Sequence, residues 1–159
     1  MAIEYVFVDT CVLSDIIRQY NPLCPRNPLQ VGNYLKKDML RYVNQIITDV
    51  EDNGYIIAST FAFVELINKL DNIFSGSVSK ERLLGVVNQP PSWFIVEDMN
   101  KDTAIHFCDV PASVGGTSIS SDDAIHVATA MQRGDALLFL TTDQTISKLS
   151  LPMITFINS

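Results

Sequence analysis

Short apolar runs alternate along this chain with stretches in which apolar residues recur at helical spacing. The runs are rich in β-branched and aromatic residues, as in buried parallel strands, and they predict strands at residues 5–8, 55–59, 93–97, 136–142 and 153–157. The amphipathic stretches predict helices at about 12–20, 34–51, 61–74, 80–88, 102–108, 122–132 and 144–149. This alternation indicates an α/β fold, in which a central, mainly parallel sheet is covered by helices on both faces.

Turn-forming residues mark the limits of these elements without dividing the chain into domains. Residues 21–33 contain three of the seven prolines, which predicts a loop excursion and not an interdomain linker. Residues 120–123 (SSDD) form a capping signal, and Gly134 is a natural residue to follow the end of the same helix. A chain of 159 residues has the length of one domain, so we predict a single domain over residues 1–159.

Composition and charge narrow the class of protein. Apolar residues make up 47% of the chain and charged residues 18%, which is typical of a compact globular protein and excludes a disordered one. A net charge of −7 argues against a protein that binds nucleic acid through an overall basic surface. Some basic residues do gather in one stretch, as either a phosphate-facing patch or an ordinary solvated helix face: Arg18, Arg26, Lys36, Lys37 and Arg41.

Cysteine usage and the lack of targeting signals favour a cytoplasmic protein. Cys11, Cys24 and Cys108 are odd in number and widely separated, which fits a reducing compartment better than a disulfide framework or a zinc site. No apolar run approaches the roughly 20 residues of a membrane helix, and no signal-peptide pattern precedes the first strand. We therefore expect a cytoplasmic protein that does not associate with membranes.

Four carboxylates stand at or just after the points where predicted strands give way to helices. Asp9 ends the first strand, and Asp143 follows the strand at 136–142. Asp123 lies in the first turn of its helix, and Glu65 lies about one turn into the helix after the second strand. Because the carboxyl ends of parallel strands form a crevice at one edge of a sheet, these side chains could meet there. Their oxygens suit hard cations such as Mg²⁺ or Mn²⁺, and no His/Cys spacing indicates zinc.

Each acid also has a purely structural interpretation. Asp123, and equally the neighbouring Asp122, could favour a helix N-terminus through capping and dipole effects. Asp143 could cap the helix that follows it, and Asp9 could serve only in a turn or a cap. Glu65 could face solvent, although its surroundings, FAFVELI, are strongly apolar. The joint pattern indicates a metal site more strongly than any single member does, and such a cluster also accounts for the acid excess.

Four segments carry a resemblance to a known family: VFVDTCVL near the start, TFAFVEL after the second strand, DDAIHVATAMQRG, and LFLTTD. In order, spacing and context they resemble the acidic motifs of PIN-domain nucleases, in particular the virulence-associated protein C type toxin ribonucleases of type II toxin–antitoxin systems. The resemblance extends from Tyr5 to about Leu149. It implies a PIN-like three-layer α/β/α fold and metal-dependent endonucleolytic cleavage of RNA, commonly by a homodimer that a cognate antitoxin restrains.

The resemblance also implies roles for individual residues. The family's acidic quartet corresponds to Asp9, Glu65, Asp123 and Asp143, with Asp122 as an additional acid, and its accompanying hydroxyl positions correspond to Thr10 and Thr141. By hypothesis, the first three of the quartet hold the principal Mg²⁺ or Mn²⁺ ion, and the fourth completes the site or places a second ion. The two hydroxyls would orient carboxylates or waters.

Three other residues and two other functions stay open. Cys11 stands where a small or polar residue often follows the Asp-Thr pair, and we predict a packed thiol without a catalytic role. His106 and His126 are conceivable general bases; His126 lies one helical turn after Asp123, but a packing or surface role is favoured. A haloacid-dehalogenase-like phosphatase also has an acid after its first strand, but it expects a second acid where this chain has Cys11. A non-catalytic PIN-like binding protein is the other alternative, against which the presence of all four acids argues.

Overall fold

The computed structural model describes residues 4–19, 54–68 and 80–158 of the chain. The strands are β1 (Glu4–Val8), β2 (Gly54–Ser59), β3 (Phe94–Glu97), β4 (Ser113–Val114), β5 (Thr117–Ser118), β6 (Leu137–Thr141) and β7 (Ile154–Asn158). The helices are α1 (Thr10–Gln19), α2 (Thr60–Asn68), α3 (Lys80–Asn88), α4 (Lys101–Phe107) and α5 (Ser121–Met131), and a 3₁₀ turn spans Ile146–Lys148. The predicted loop excursion at 21–33, the predicted helix at 34–51 and the last part, 69–74, of the helix predicted at 61–74 lie outside the described residues.

Five strands form one sheet in which all neighbouring strands are parallel. The order is β3–β2–β1–β6–β7, so the first strand of the chain lies in the centre. Phe7 of β1 is aligned with Ile57 of β2 and Phe139 of β6, and the two phenylalanine rings stack with centroids 5.3 Å apart. The chain builds outward from β1 on one side and returns to the other side for β6. Such a reversal opens a crevice at the carboxyl ends of the central strands.

Alternate residues of the strands face two different helical layers. Val6 and Val8 belong to a core with α1, α2 and α3, whose buried residues there are Val12, Leu13, Ile16, Ala62, Phe63, Leu66, Leu83 and Val86. Phe7 and Phe139 belong to a second core with α5 and the 3₁₀ turn, whose buried residues there are Val127, Ala130, Ile146 and Leu149. Helices therefore cover both faces, which confirms the predicted three-layer α/β/α fold. Among the described residues, no helix has the length and apolarity needed to cross a membrane.

The differences from the predicted elements lie in the short connections. The short helix predicted at 144–149 forms only as a single 3₁₀ turn over Ile146–Lys148, and Leu149 already has extended backbone. The connection between the predicted helices at 102–108 and 122–132 contains the antiparallel hairpin β4–β5. Gly115 and Gly116 form its turn with φ values of 57° and 79°, which glycine adopts without the strain that a side chain brings. This hairpin leads the chain into α5.

Candidate active site

The candidate site lies where the central strands end and the helices after them begin. Asp9 follows β1 directly, and its Oδ1 accepts the backbone N–H of Val12 at 3.1 Å, which caps α1. Ser59 ends β2, and its Oγ accepts the N–H of Ala62 at 3.1 Å, which caps α2 in the same way. The need to cap α1 and α2 therefore holds a polar side chain at the carboxyl ends of β1 and β2.

A second hydrogen bond joins Asp9 to β6. The hydroxyl of Thr141, the last residue of β6, donates to Asp9 Oδ2 at 2.6 Å and accepts the N–H of Asp143 at 2.9 Å. Asp9 is 6% exposed and Thr141 is fully buried. Burial raises the pKa of Asp9, and the nearby Asp123 adds to that rise, while the hydrogen bonds from Thr141 and Val12 oppose it. The ionised form of Asp9 is therefore less favourable in the folded protein than it would be in water.

Glu65 is held by side chains from two other helices. Thr10 of α1 donates its hydroxyl to Glu65 Oε1 at 2.7 Å, and Nε2 of His126 in α5 lies 2.6 Å from the same oxygen. The other ring nitrogen of His126, Nδ1, lies 3.3 Å from Ser59 Oγ. The Glu65 side chain is only 12% exposed. The interpretation of Glu65 as a solvent-facing residue is therefore wrong.

Asp123 enters the cluster from the first turn of α5. The cap of this helix is Ser120, whose Oγ accepts the N–H of Asp123 at 3.2 Å, so the carboxylate of Asp123 is not the cap. Burial raises the pKa of Asp123, and the charges of Asp143 and Glu65 raise it further. The hydrogen bond with Ser120 and the proximity of His126 act in the opposite direction. Asp123 thus lies within electrostatic reach of the other acids.

Asp143 lies near Asp123 and also caps the element that follows it. Its Oδ1 accepts the N–H groups of Thr145 at 2.7 Å and Ile146 at 3.2 Å. The capping interpretation of Asp143 is therefore confirmed, although the element that it caps is the 3₁₀ turn and not an α-helix. Asp143 also contributes to the raised pKa of Asp123, so capping does not remove it from the acidic cluster.

The remaining candidates divide between the site and the surface. Asp122 is exposed in the first turn of α5. Cys11 is exposed, so its predicted packing is wrong: α1 directs the next two residues, Val12 and Leu13, into the core and leaves Cys11 on the outer side. His126 is buried, as a packing residue would be, but both of its ring nitrogens contact polar groups of the site.

Ser59, which contacts His126 in the site, was not identified as a site residue from the sequence. In the sequence it is the last residue of the strand predicted at 55–59, and in the structure it caps α2. Its contact with His126 joins residues 67 positions apart in the chain. A polar residue at the end of a central strand was the available signal, the same signal that singles out Asp9.

The donor chemistry of the cluster suits a hard divalent cation. All four acids offer carboxylate oxygens, which Mg²⁺ and Mn²⁺ prefer, and a cation would favour the ionised forms of Asp9 and Asp123, whose pKa values are raised by burial and, to a smaller extent, by neighbouring carboxylates. Across residues 4–19, 54–68 and 80–158, no three His, Cys, Asp or Glu side chains are arranged closely enough to hold an ion as they stand. The oxygens are therefore of the right type, but they are not drawn around one point.

Comparison with known proteins identifies the family. The family model described as PIN domain matches residues 37–151, which is well over half of the chain. The chain therefore belongs to the PIN domain family. The match begins after Asp9, so this acid is assigned to the site by its position in the fold and not by the match. No curated protein matches the chain significantly.

Solved structures share the fold across almost the whole chain. VapBC2 from Rickettsia felis, bound to a DNA fragment from its promoter, is 13% identical with a TM-score of 0.60, and 98% of each chain is covered. FitAB bound to an IR36 DNA fragment is 15% identical with a TM-score of 0.55, covering 96% of this chain and 94% of that one. FitAcB from Neisseria gonorrhoeae is 16% identical with a TM-score of 0.53, covering 96% of each. At such identities the likeness shows the fold alone.

Proposed function

We propose that this chain is a metal-dependent endoribonuclease that hydrolyses RNA phosphodiester bonds and acts as the toxin of a toxin–antitoxin pair. The observation that carries the proposal is the gathering of Asp9, Glu65, Asp123 and Asp143 at one edge of a parallel sheet, in a member of the PIN domain family. Asp9 is buried and Asp123 half-buried, and the pKa of each is raised by burial and, to a smaller extent, by the charges of neighbouring carboxylates. A protein that keeps such an arrangement gains from a cation that offsets the repulsion.

The side chains would divide the work as follows. Asp9, Glu65 and Asp123 would hold the principal Mg²⁺ or Mn²⁺ ion, and Asp143 would complete the site or place a second ion. When bound, such an ion supplies an acidified water as the nucleophile and neutralises charge on the phosphate. Thr141 holds Asp9 by its hydrogen bond to Oδ2 and thereby keeps the orientation of this carboxylate.

The proposed partners follow from the kinds of assembly in which related folds are found. Two of the solved structures, VapBC2 and FitAB, are complexes bound to DNA. By analogy with these complexes, we propose a cognate antitoxin as a partner of this chain, and from the resemblance to toxin ribonucleases we propose a homodimer as its assembly. We also propose a cytoplasmic location and a single domain over residues 1–159. Membership of the PIN domain family sets aside the haloacid-dehalogenase-like alternative.

The test is cleavage of defined RNAs with Mn²⁺, with Mg²⁺ and with a chelator, using the wild type and Asp9→Asn. Asparagine can still accept the N–H of Val12 at the start of α1, so the fold should persist while the negative charge is lost. Asp109→Asn, at an exposed acid after α4, is the matched control. We expect cleavage by the wild type and the control only when metal is present, and none by Asp9→Asn.

Two outcomes would contradict the proposal. Cleavage by Asp9→Asn at the wild-type rate would remove this carboxylate from the mechanism. A wild-type protein that binds RNA or an antitoxin but never cuts, and whose Mn²⁺ affinity does not depend on Asp9 and Asp123, would instead be a non-catalytic PIN-like binding protein.

A further inference from the structure

We infer that His126 is a positioning residue, which holds the Glu65 carboxylate in the acidic cluster by a hydrogen bond from Nε2. The inference rests on the proposed function, since it gives Glu65 a geometry that a metal site needs. Nothing in the sequence distinguishes this role from simple packing. The contacts of both ring nitrogens do.

Hydrogen bonds around the ring have one consistent direction. Ser59 Oγ already accepts the N–H of Ala62, so its own proton is available to Nδ1 of His126 at 3.3 Å. An Nδ1 that accepts leaves the ring proton on Nε2, which faces Glu65 Oε1 at 2.6 Å and Thr10 Oγ1 at 2.9 Å. Because an ionised Glu65 carboxylate can only accept, it requires the ring proton on Nε2, and the Ser59 hydroxyl supports that tautomer by donating to Nδ1.

The hydrogen bond joins two helical layers at the site. Glu65 belongs to α2, in the layer with α1, whereas His126 belongs to α5 on the opposite face of the sheet. Thr10 contacts the same carboxylate oxygen but comes from the layer of Glu65 itself. His126 is therefore the described contact that draws Glu65 toward the helix that carries Asp123.

His126 also opposes a repulsion within the cluster. Asp123 and His126 are three residues apart on α5, so they lie on the same side of that helix. Burial is the main cause of the raised pKa of Asp123, and the nearby negative charge of Glu65 adds to it, because like charges repel. A donor one turn from Asp123 holds Glu65 near it in spite of that repulsion. Without the donor, we expect the carboxylate of Glu65 to turn away.

The imidazole has little freedom to adopt another orientation. His126 is 2% exposed, and its ring lies against Phe61 with centroids 5.3 Å apart and planes tilted by 52°. A ring held by packing on its faces and by polar contacts at both nitrogens is a rigid support. Supports of this kind typically change metal affinity or activity by about 10–100-fold when they are lost.

The experiment compares His126→Leu, which removes the donor, with His126→Gln, whose side-chain amide can still donate to Glu65. His106→Leu, at the half-buried histidine of α4, is the matched control. Mn²⁺ affinity is measured directly by calorimetry at one fixed pH, and RNA cleavage is measured over a range of Mn²⁺ concentrations. Circular dichroism and thermal melting establish that each variant is folded.

We expect His126→Leu to bind Mn²⁺ about 10–100-fold more weakly than the wild type. His126→Gln should lie between the two, and His106→Leu should match the wild type. Cleavage by His126→Leu should recover in part at high Mn²⁺, because the site is weakened and not removed. Ser59→Ala should weaken Mn²⁺ binding in the same direction, and this variant carries the test if His126→Leu does not fold.

The results separate this inference from the proposed function. If the wild type cleaves RNA and a folded His126→Leu or Ser59→Ala binds Mn²⁺ as tightly as the wild type, His126 only packs and the inference is overturned alone. The same conclusion holds if His126→Gln is as weak as His126→Leu, because the donor is then not what matters. If the wild type neither binds Mn²⁺ nor cleaves RNA, both the proposed function and the inference fail.

Discussion

Thr141→Val tests whether the hydroxyl of Thr141 holds the acidic cluster together. Valine has nearly the same shape as threonine, so the substitution leaves no cavity in this fully buried position. It removes the donor to Asp9 Oδ2 and the acceptor of the N–H of Asp143. Two polar groups thus lose a partner while the apolar packing around β6 stays as it is.

The magnitude follows from these two lost contacts. A hydrogen bond to a charged group is worth about 1.5–3 kcal/mol, and Asp9 is too buried for water to replace the hydroxyl. The N–H of Asp143 is only partly buried, so its lost partner should cost about 0.5–1 kcal/mol. Together, we expect a loss of about 2–4 kcal/mol in the free energy of unfolding at neutral pH without metal. The loss should be smaller in acid, because a protonated Asp9 needs the donor less.

The assay is urea unfolding of Thr141→Val, with Thr142→Val as the control at the neighbouring, exposed threonine. A surface substitution of this kind should change stability by no more than about 0.5 kcal/mol. The pair Thr141→Val and Asp9→Asn, alone and combined, should show a coupling energy, since one contact joins the two side chains. If Thr141→Val destabilises no more than Thr142→Val, the hydroxyl does not support Asp9 and the reasoning is refuted.

Two further predictions use the pKa shifts and the glycines. Because the pKa values of Asp9 and Asp123 lie above the ordinary 3.8, their stability contribution is fully present below that pH and is lost as pH rises through the folded-state values. Metal-free Asp9→Asn should therefore gain stability relative to the wild type as pH rises in urea unfolding, and a constant difference would contradict this. Gly134→Ala should lower stability by about 1 kcal/mol because its φ is 71°, whereas Gly85→Ala in α3, with open space around it, should raise stability by about 0.5–1 kcal/mol. If thermal melting shows that both glycine substitutions raise stability, or that both lower it, the prediction for the glycines is refuted.

The sheet and the edge at which the acids lie could be predicted because both depend on local pattern. The run YVFV at residues 5–8 is typical of a strand that is buried on both faces inside a parallel sheet, and it forms the central strand. An acid directly after such a run must lie at the carboxyl end of the strand, whatever the rest of the fold does. The positions of Asp9 and Asp143 follow from this rule alone.

The contacts between side chains could not be predicted in the same way. His126 and Glu65 are 61 residues apart, and their contact depends on how α2 and α5 cross the end of the sheet. Helical spacing shows that His126 is near Asp123 but does not indicate which way the ring points. The hairpin β4–β5 escaped prediction for a related reason, since its two-residue strands carry no periodicity.

Capping explains how the chain tolerates several carboxylates at one edge of its sheet. Asp9, Ser59, Ser120 and Asp143 each accept N–H groups at the start of a helix or a 3₁₀ turn, and all belong to the site or adjoin it. The exposed N–H groups of a helix start carry partial positive charge, which favours nearby anions. The same local rule thus positions Asp9 and Asp143 and offsets part of the repulsion in the cluster. Burial, with a smaller contribution from neighbouring carboxylates, still raises the pKa values of Asp9 and Asp123, and a divalent cation would stabilise their ionised forms.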